Sequence, residues 1–156
     1  MLQVDLRDLR RGPVETNGQL PPEDPTFEGL MLDLAGPVSV QGRLQATGDE
    51  DFFWHATLTG TLRAACRRCL TELAYPIRTE VEVLFSADPD AADDSSVYPL
   101  AEPVTRVDVR EAVREELALA IPAYPLCRED CAGLCSMCGA DLNAGPCGCL
   151  ASAEPV

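Results

Sequence analysis

The 156-residue sequence contains no lysine and a single histidine, so its twelve basic residues are all arginines. Against them stand 26 acidic residues, which give a formal net charge of −14 at pH 7. A chain this acidic repels nucleic acid at long range, because phosphate binding depends on neutralisation by cationic side chains. The charge is better suited to a basic protein partner, and it also serves solubility alone.

Long hydrophobic runs are missing as well. No segment approaches the ~20 apolar residues that a membrane-spanning helix needs. The first ten residues alternate apolar and charged side chains and do not form the apolar region of a signal peptide. We therefore expect a soluble, cytoplasmic protein. In a reducing compartment, clustered cysteines are metal ligands or redox groups more often than disulfides.

The sequence offers little for catalysis. It has no nucleophile–base motif and no glycine-rich loop that would bind phosphate. The lone histidine, His55, lies in a strand-like segment on a threonine-lined face and is expected to be an ordinary strand residue. Glu115 and Glu116 are expected to form a solvated helix face. We therefore expect a protein that is not an enzyme.

Alternation of apolar and polar residues with a period of two predicts β-strands. The pattern is found at residues 2–6, 27–34, 38–47, 52–65 and 73–85. Segments rich in proline and acidic residues predict loops at 12–25 and 87–103, the second of them mobile. Because consecutive strands are joined by short turns without helices between them, they indicate an antiparallel open sheet or partial barrel.

One helix is predicted over about 108–121. Asp108 is a candidate N-cap, with Glu111 at the third helical position. Apolar residues then recur four apart at Val109, Val113, Leu117 and Ile121. The predicted fold is α+β. Residues 1–126 form a β-rich body with this helix packed on it, and residues 127–156 form a cysteine-rich zinc-binding tail packed on the body.

Six of the eight cysteines lie within the 23 residues from Cys127 to Cys149. The stretch Cys135-Ser-Met-Cys138-Gly139 has the spacing of a zinc knuckle, in which one tight turn directs both sulfurs at a single ion. Cys147 and Cys149 follow as a second pair close in sequence, so closing the loop costs little entropy. These four cysteines are the strongest candidate for a metal site.

The remaining thiols form two pairs, Cys66 with Cys69 and Cys127 with Cys131. A second four-thiolate site would use every cysteine, if the end of the helix lies near the turn that carries the first pair. In the alternative, Cys127, Cys131, Cys135 and Cys138 form one site, and Cys66 and Cys69 join the final pair. Closed four-cysteine sites are structural far more often than catalytic, so we expect two structural zinc ions.

Two features beside the first pair allow other interpretations. A Cys-x-x-Cys pair also occurs in thiol redox proteins, but there it begins a helix, whereas a strand is predicted after Cys69. Arg63, Arg67 and Arg68 form the main local basic cluster. They are candidates for contact with RNA phosphate, or equally for hydrogen bonds to the negatively charged thiolates.

Three stretches together resemble the YceD family of large ribosomal RNA subunit accumulation proteins. They are Cys66-Arg-Arg-Cys69-Leu70, the helix end Glu-Glu-Leu-Ala-Leu-Ala-Ile-Pro, and the tail Cys-Ala-Gly-Leu-Cys-Ser-Met-Cys-Gly-Ala-Asp-Leu-Asn followed by Cys-Gly-Cys. The resemblance implies a non-enzymatic bacterial factor for accumulation and assembly of the large ribosomal subunit. Its implied partners are large-subunit ribosomal RNA precursor, a basic large-subunit ribosomal protein, or both. The alternatives are a thiol redox protein using Cys66 and Cys69 and a ribosomal RNA processing nuclease.

Overall fold

In the computed structural model, which describes residues 1–149, the chain forms eight β-strands and two α-helices among those residues. In chain order they are β1 (Gln3–Asp5), α1 (Leu6–Leu9), β2 (Val14–Glu15), β3 (Gly18–Leu20), β4 (Val38–Ala46), β5 (Asp51–Ala65), β6 (Glu72–Ser86), β7 (Val97–Pro99), β8 (Arg106–Asp108) and α2 (Arg110–Ala120). Short 3₁₀ turns occur at Pro25–Phe27, Pro89–Asp93 and Leu142–Ala144. The predicted α+β class is confirmed.

Six of the strands form one sheet in the order β2-β4-β5-β6-β7, with β3 also paired to β4. The strands β4 and β5 are antiparallel, with Leu44 opposite Trp54. The edge strand β7 pairs with β6 in parallel, which departs from the antiparallel expectation. The strands β1 and β8 form a separate antiparallel pair that joins residues near the start of the chain to those just before α2.

The chain divides into two compact units. The first comprises Met1–Leu62 and Pro76–Ile121, and the second comprises Arg63–Tyr75 and the chain from Pro122 onward. The sequence-based division at residue 126 was drawn along the chain, whereas these units are defined by contacts in space. That division therefore stays a prediction.

The core of the first unit is built from the alternating residues of the long strands. Trp54 is fully buried, and its Nε1 donates a hydrogen bond to Oγ1 of Thr16 over 2.8 Å. Gly42 leaves room for this pair, because a Cβ there would lie 2.6 Å from Cβ of Ala56 and 2.8 Å from Oγ1 of Thr16. The indole therefore fits only because residue 42 lacks a side chain.

The helix α2 begins at Arg110, two residues after the predicted N-cap. The structure places Val109 at the cap position, where it makes no side-chain cap hydrogen bond. Asp108 still accepts a hydrogen bond from the backbone N–H of Arg110, over 3.0 Å. Val113 and Leu117 are fully buried, as the apolar stripe predicts. No helix among residues 1–149 is both long and apolar enough to cross a bilayer.

Three sequence-based assignments were wrong. Residues 27–34 do not form a strand: Phe27 ends a 3₁₀ turn, and Leu34 makes an isolated bridge to Leu62. The predicted loop at 12–25 contains β2 and β3, and the predicted loop at 87–103 contains a 3₁₀ turn and β7. These strands of two or three residues form because a longer neighbouring strand offers backbone partners, so their own sequences show no alternation.

Candidate metal centres

All eight cysteines belong to the second unit, and their sulfurs form two groups of four. The first group is Cys66, Cys69, Cys127 and Cys131, and the second group is Cys135, Cys138, Cys147 and Cys149. Within each group the sulfur atoms lie within 4.8 Å of one another. Of the two groupings that the sequence allowed, this is the one that joins the pair before β6 to the pair after α2.

The sulfur spacing in the first group fits a metal ion better than a disulfide. Sγ of Cys66 lies 3.7 Å from Sγ of Cys131, and Sγ of Cys69 lies 3.7 Å from Sγ of Cys127. Four thiolates bound at ~2.3 Å around a tetrahedral zinc ion are separated by ~3.8 Å. A disulfide would require ~2.05 Å. Donor type, number and spacing therefore all suit zinc.

The same turn carries the first pair of each group. Leu70 N–H donates to the carbonyl of Cys66 over 2.9 Å, and Gly139 N–H donates to the carbonyl of Cys135 over 2.9 Å. Both residues adopt the left-handed conformation, Leu70 at φ 62° and Gly139 at φ 74°. This conformation favours glycine, and a leucine in it is strained. The two turns thus share a backbone, but the left-handed position holds a leucine in one and a glycine in the other.

Backbone N–H groups in each turn are directed at its first sulfur. Hydrogen bonds from the backbone N–H of Cys69 and then of Cys127 and Arg68 lower the pKa of Cys66 to about 6, although desolvation opposes them. The backbone N–H groups of Cys138 and Met137 lower the pKa of Cys135 to about 6 in the same way. Both sulfurs are therefore prepared to be thiolates, the form that binds metal.

Other thiols in each group are held in the protonated form. Desolvation, followed by hydrogen bonding to Cys131, raises the pKa of Cys127 to about 12. The pKa of Cys149 is raised to about 12, first by a hydrogen bond with Cys138. Four thiolates cannot share so small a space without a compensating positive charge. A divalent cation would supply that charge and complete a closed site.

The first group is more shielded from solvent than the second, although its Cys127 is exposed. Cys66, Cys69 and Cys131 are buried, and Leu73, Leu126 and Leu134 pack against them. In the second group Cys138 is exposed, and Cys147 and Cys149 are partly exposed. Four thiolates complete a tetrahedral shell in either group and leave no coordination position for a substrate. The arrangement suits a structural role for the metal.

The three arginines of the basic cluster have different surroundings. Arg68 donates from Nη1 to the carbonyls of Glu129 and Cys131, over 3.2 and 3.1 Å, and so connects the two loops of the first group. The guanidinium of Arg67 lies over the ring of Tyr124, 5.8 Å from its centre. Arg63 is exposed near the end of β5. Arg68 therefore contacts backbone carbonyls, which neither interpretation of the cluster anticipated.

His55 belongs to neither cysteine group. It lies on β5 in the first unit, with Nε2 3.5 Å from Oε2 of Glu80, and both side chains are about half exposed. Sequence reasoning missed Asn143, whose side-chain Nδ2 donates to Sγ of Cys131 over 3.3 Å. A polar amide between the two ligand pairs of the second group was the available signal.

Comparison with known proteins adds a family and several relatives. A family model described as the large ribosomal RNA subunit accumulation protein YceD matches residues 54–155. An uncharacterized protein of Mycobacterium leprae is 25% identical over 124 residues, which cover 77% of this chain and 56% of the relative. Uncharacterized proteins of Mycobacterium bovis and Mycobacterium tuberculosis are 35% identical over 125 residues, 76% of this chain and 55% of each relative. The chain thus spans about half the length of these curated relatives. No solved structure is significantly similar to it.

Proposed function

The chain belongs to the YceD family of large ribosomal RNA subunit accumulation proteins, and from this we propose that it is a non-enzymatic bacterial factor supporting large-subunit ribosomal RNA accumulation and assembly. The observation that carries the proposal is the extent of the family match. Residues 54–155 include all eight cysteines and therefore both four-thiol groups. The part of the chain with the most distinctive chemistry thus lies within the residues that match the family.

In this proposal each thiol group binds one zinc ion, and both ions are structural. The second unit is supported by these sites and presents its loops to a partner. Zinc, when bound, neutralises the converging thiolates and holds their chain segments together. The protein itself supplies the buried environment of the first group and the backbone N–H groups that face the sulfurs.

The distribution of charge supports a basic protein partner for the first unit. That unit carries 21 of the 26 acidic residues against eight arginines, a net charge of −13. The second unit carries five acidic residues against four arginines, a net charge of −1 before any metal–thiolate charge is counted. A basic ribosomal protein of the large subunit would be attracted to the first unit, while free RNA would be repelled by it.

Contact with RNA is proposed for the turn of the first cysteine group. Arg67 is exposed in this turn and Arg63 is exposed near the end of β5, and Arg67 lies over Tyr124, which is 55% exposed. Arginine and aromatic faces are the groups on which unpaired RNA bases stack. Arg68 has a structural task in connecting the two loops of the group. The RNA-facing role therefore rests mainly on Arg63 and Arg67.

Deletion of the gene in its host tests the function directly. Loss of the protein should lower the ratio of large-subunit to small-subunit ribosomal RNA, and the full chain supplied from a plasmid should restore it. The double variant Cys135→Ser, Cys138→Ser should fail to restore the ratio. An unchanged ratio in the deletion strain would remove the proposed function.

Charge reversal tests the RNA contact separately. The variant Arg63→Glu, Arg67→Glu should lose co-sedimentation with large-subunit precursors, because it places two carboxylates where phosphate would bind. The matched control is Arg10→Glu, Arg11→Glu, which makes the same change of charge in the first unit. If both variants co-sediment like the unmodified chain, the two arginines have no part in RNA binding.

Two rival functions have direct tests. Thiol redox catalysis would need accessible thiols, whereas Cys66 is fully buried and Cys69 is 7% exposed. The pair also lies in a turn between β5 and β6 and does not begin a helix. Turnover of a disulfide substrate by the zinc-loaded full chain would nevertheless establish that activity. Cleavage of precursor RNA by the purified chain would likewise establish a nuclease.

A further inference from the structure

We propose that Asn143 couples the two cysteine groups, so that the first group retains its metal fully only while the second group is intact. The inference rests on the structural metal sites of the proposed function. Asn143 is a positioning residue here: it acts on a ligand sulfur through a hydrogen bond and binds no substrate. Its backbone belongs to the loop of one group and its side chain contacts a sulfur of the other.

The backbone position of Asn143 depends on the second group. The residue lies between Cys138 and Cys147, in the 3₁₀ turn Leu142–Ala144. Oδ1 of Asp141 accepts from both the backbone N and Nδ2 of Asn143, each over 2.9 Å. Because ligands of the second group lie on both sides of this turn, a metal bound there restrains it.

The side chain of Asn143 reaches the first group. Nδ2 lies 3.3 Å from Sγ of Cys131, and Oδ1 accepts from the backbone N of Ala132 over 2.8 Å. Oδ1 also accepts from Nη2 of Arg128 over 2.6 Å. One amide therefore holds the loop from Arg128 to Ala132 and donates to the sulfur that this loop carries.

The orientation of this amide is fixed by its partners. An asparagine side chain offers two donor hydrogens and two acceptor lone pairs. Here both hydrogens have acceptors, in Cys131 and Asp141, and both lone pairs have donors, in Ala132 and Arg128. Exchanging oxygen and nitrogen would set the NH₂ group against two donors. The hydrogen bond to sulfur thus follows from the whole set of contacts.

A hydrogen bond to a ligand sulfur stabilises the thiolate and, through it, the bound metal. Removing such a partner typically lowers metal affinity by ~10–100-fold. When the second group is opened, the turn that carries Asn143 loses its restraint, and Cys131 loses its donor. Coupling between two binding sites is reciprocal. Metal in the first group should therefore strengthen metal retention in the second.

The test measures zinc release from the full chain to a chromogenic chelator. Asn143→Asp keeps the size of the side chain and the acceptor for Ala132 and Arg128, but it replaces the donor to Cys131 and Asp141 by an oxygen that repels both the thiolate and the carboxylate. We expect release from the first group to be ~10-fold faster in this variant. The matched control is Asn17→Asp, at the other asparagine of the chain, which is exposed and lies in the first unit.

Opening the second group completes a double-mutant cycle. Cys147→Ser, Cys149→Ser should by itself accelerate release from the first group, and adding Asn143→Asp should accelerate it little further. The coupling would be overturned by fully additive effects, or by an Asn143→Asp chain that binds two zinc ions and releases both at the original rate. Either result would leave the proposed metal sites unaffected. An unmodified chain that binds no zinc would instead overturn the proposed sites themselves.

A measurement on the unmodified sequence avoids any dependence on how the variants fold. In the chain loaded with cadmium-113, an N–H···S hydrogen bond transmits a scalar coupling between the amide proton and the metal. One side-chain amide proton of Asn143 should couple to the cadmium ion of the first group. Absence of that coupling, while backbone amides of the two turns show theirs, would overturn the proposal.

Discussion

The buried side chains of the first unit form an ordinary apolar core, whereas the buried side chains of the second unit are those of cysteines. Trp54, Leu58 and Phe85 of the first unit are at most 2% exposed. Among the described residues of the second unit, the buried hydrophobic residues are all cysteines: Cys66, Cys69, Cys131 and Cys135. The first unit can be stabilised by burial of apolar surface alone. The second has little apolar surface to bury and depends on what its thiols bind.

The two thiol groups differ in how much chain they join. In the first group, Cys69 and Cys127 are 58 residues apart and Cys66 and Cys131 are 65 residues apart. The ligands of the second group all lie between Cys135 and Cys149. Closing the longer loop costs ~1 kcal/mol more in chain entropy. Three of the four cysteines in this longer loop are buried, whereas only Cys135 is buried in the second group.

Metal removal should produce the largest difference in stability between the two units. Structural zinc contributes ~10–16 kcal/mol of binding free energy in small zinc domains, so a strong chelator should unfold the second unit. The fluorescence of Trp54, in the first unit, should stay unchanged. Trypsin should then cleave rapidly after Arg67 and Arg128 but no faster after Arg10. A simultaneous change in Trp54 fluorescence would show that the first unit also depends on the metal.

A cavity in the apolar core should destabilise the first unit and leave the metal sites of the second unit unchanged. Leu58 is fully buried on β5, and Leu58→Ala should lower the free energy of unfolding of the first unit by ~2–5 kcal/mol. Denaturant titration followed by Trp54 fluorescence measures the loss, and zinc content should remain the same. The control is Leu119→Ala at a side chain that is 80% exposed, where a change within ~0.5 kcal/mol is expected. Loss of zinc from Leu58→Ala would contradict this assignment of the two cores.

The close contact at Gly42 should give a smaller effect of the same kind. Gly42→Ala places a methyl group against Ala56, Thr16 and Trp54, so the free energy of unfolding should fall by ~1–3 kcal/mol. At Gly36 no described atom lies within 4 Å of an added Cβ. Gly36→Ala is therefore the matched control and should leave the denaturation midpoint nearly unchanged. Equal midpoints for the two variants would show that the strand at Gly42 moves to admit the methyl group.

The smallest effect concerns the left-handed position of the two cysteine turns, which is Leu70 in the first group and Gly139 in the second. Leu70→Gly relieves ~1–2 kcal/mol of left-handed strain but adds ~0.5–1 kcal/mol of chain entropy to the unfolded state. A net gain of ~0.5 kcal/mol is expected. The exchange Gly139→Leu should cost a similar amount in the second group. Zinc retention during a chelator titration measures both variants. A Leu70→Gly chain that retains zinc less well would show that the leucine side chain stabilises its own turn.

Leu70 also connects this comparison to function. Its side chain is 64% exposed, so it contributes little to the stability of the turn that it strains. If Leu70→Gly retains zinc but does not restore the ribosomal RNA ratio in the deletion strain, the leucine contacts a partner. Full restoration would show that its side chain is dispensable. The first result would show that the strained leucine serves function, and the second would show that the turn merely tolerates the strain.

The long elements of the fold could be predicted because their patterns are strong. The strands β4, β5 and β6 and the helix α2 each have enough residues for alternation or helical periodicity to show. The short strands β2, β3 and β7 could not be predicted, since neighbouring strands supply their hydrogen-bond partners. In the same way, Phe27 and Leu34 are apolar because they are buried, although they do not form a strand.

The candidate metal sites, too, could be predicted from the sequence only in part. The pairs within Cys66–Cys69 and Cys135–Cys138 follow from local spacing, since two intervening residues define one turn. The approach of Cys127 to Cys69 depends on how 58 residues fold between them, so the sequence left two groupings open. The contact of Asn143 with Cys131 depends on that same approach. The position of Asn143 between two ligand pairs could mark it as a polar residue near a metal site, but the sequence does not show that its partner is Cys131.

The order in which the ligands appear has a consequence for the nascent chain. Cys66 and Cys69 leave the ribosome long before Cys127 and Cys131, with which they converge. At ~5–20 residues per second, the 58 residues from Cys69 to Cys127 take roughly 3–12 s to synthesise. During that interval Cys66 and Cys69 lack the two cysteines that complete their group, and the cell must keep them reduced. The ligands of the second group follow Cys131 within one short stretch of chain. Both groups can therefore bind metal at nearly the same time.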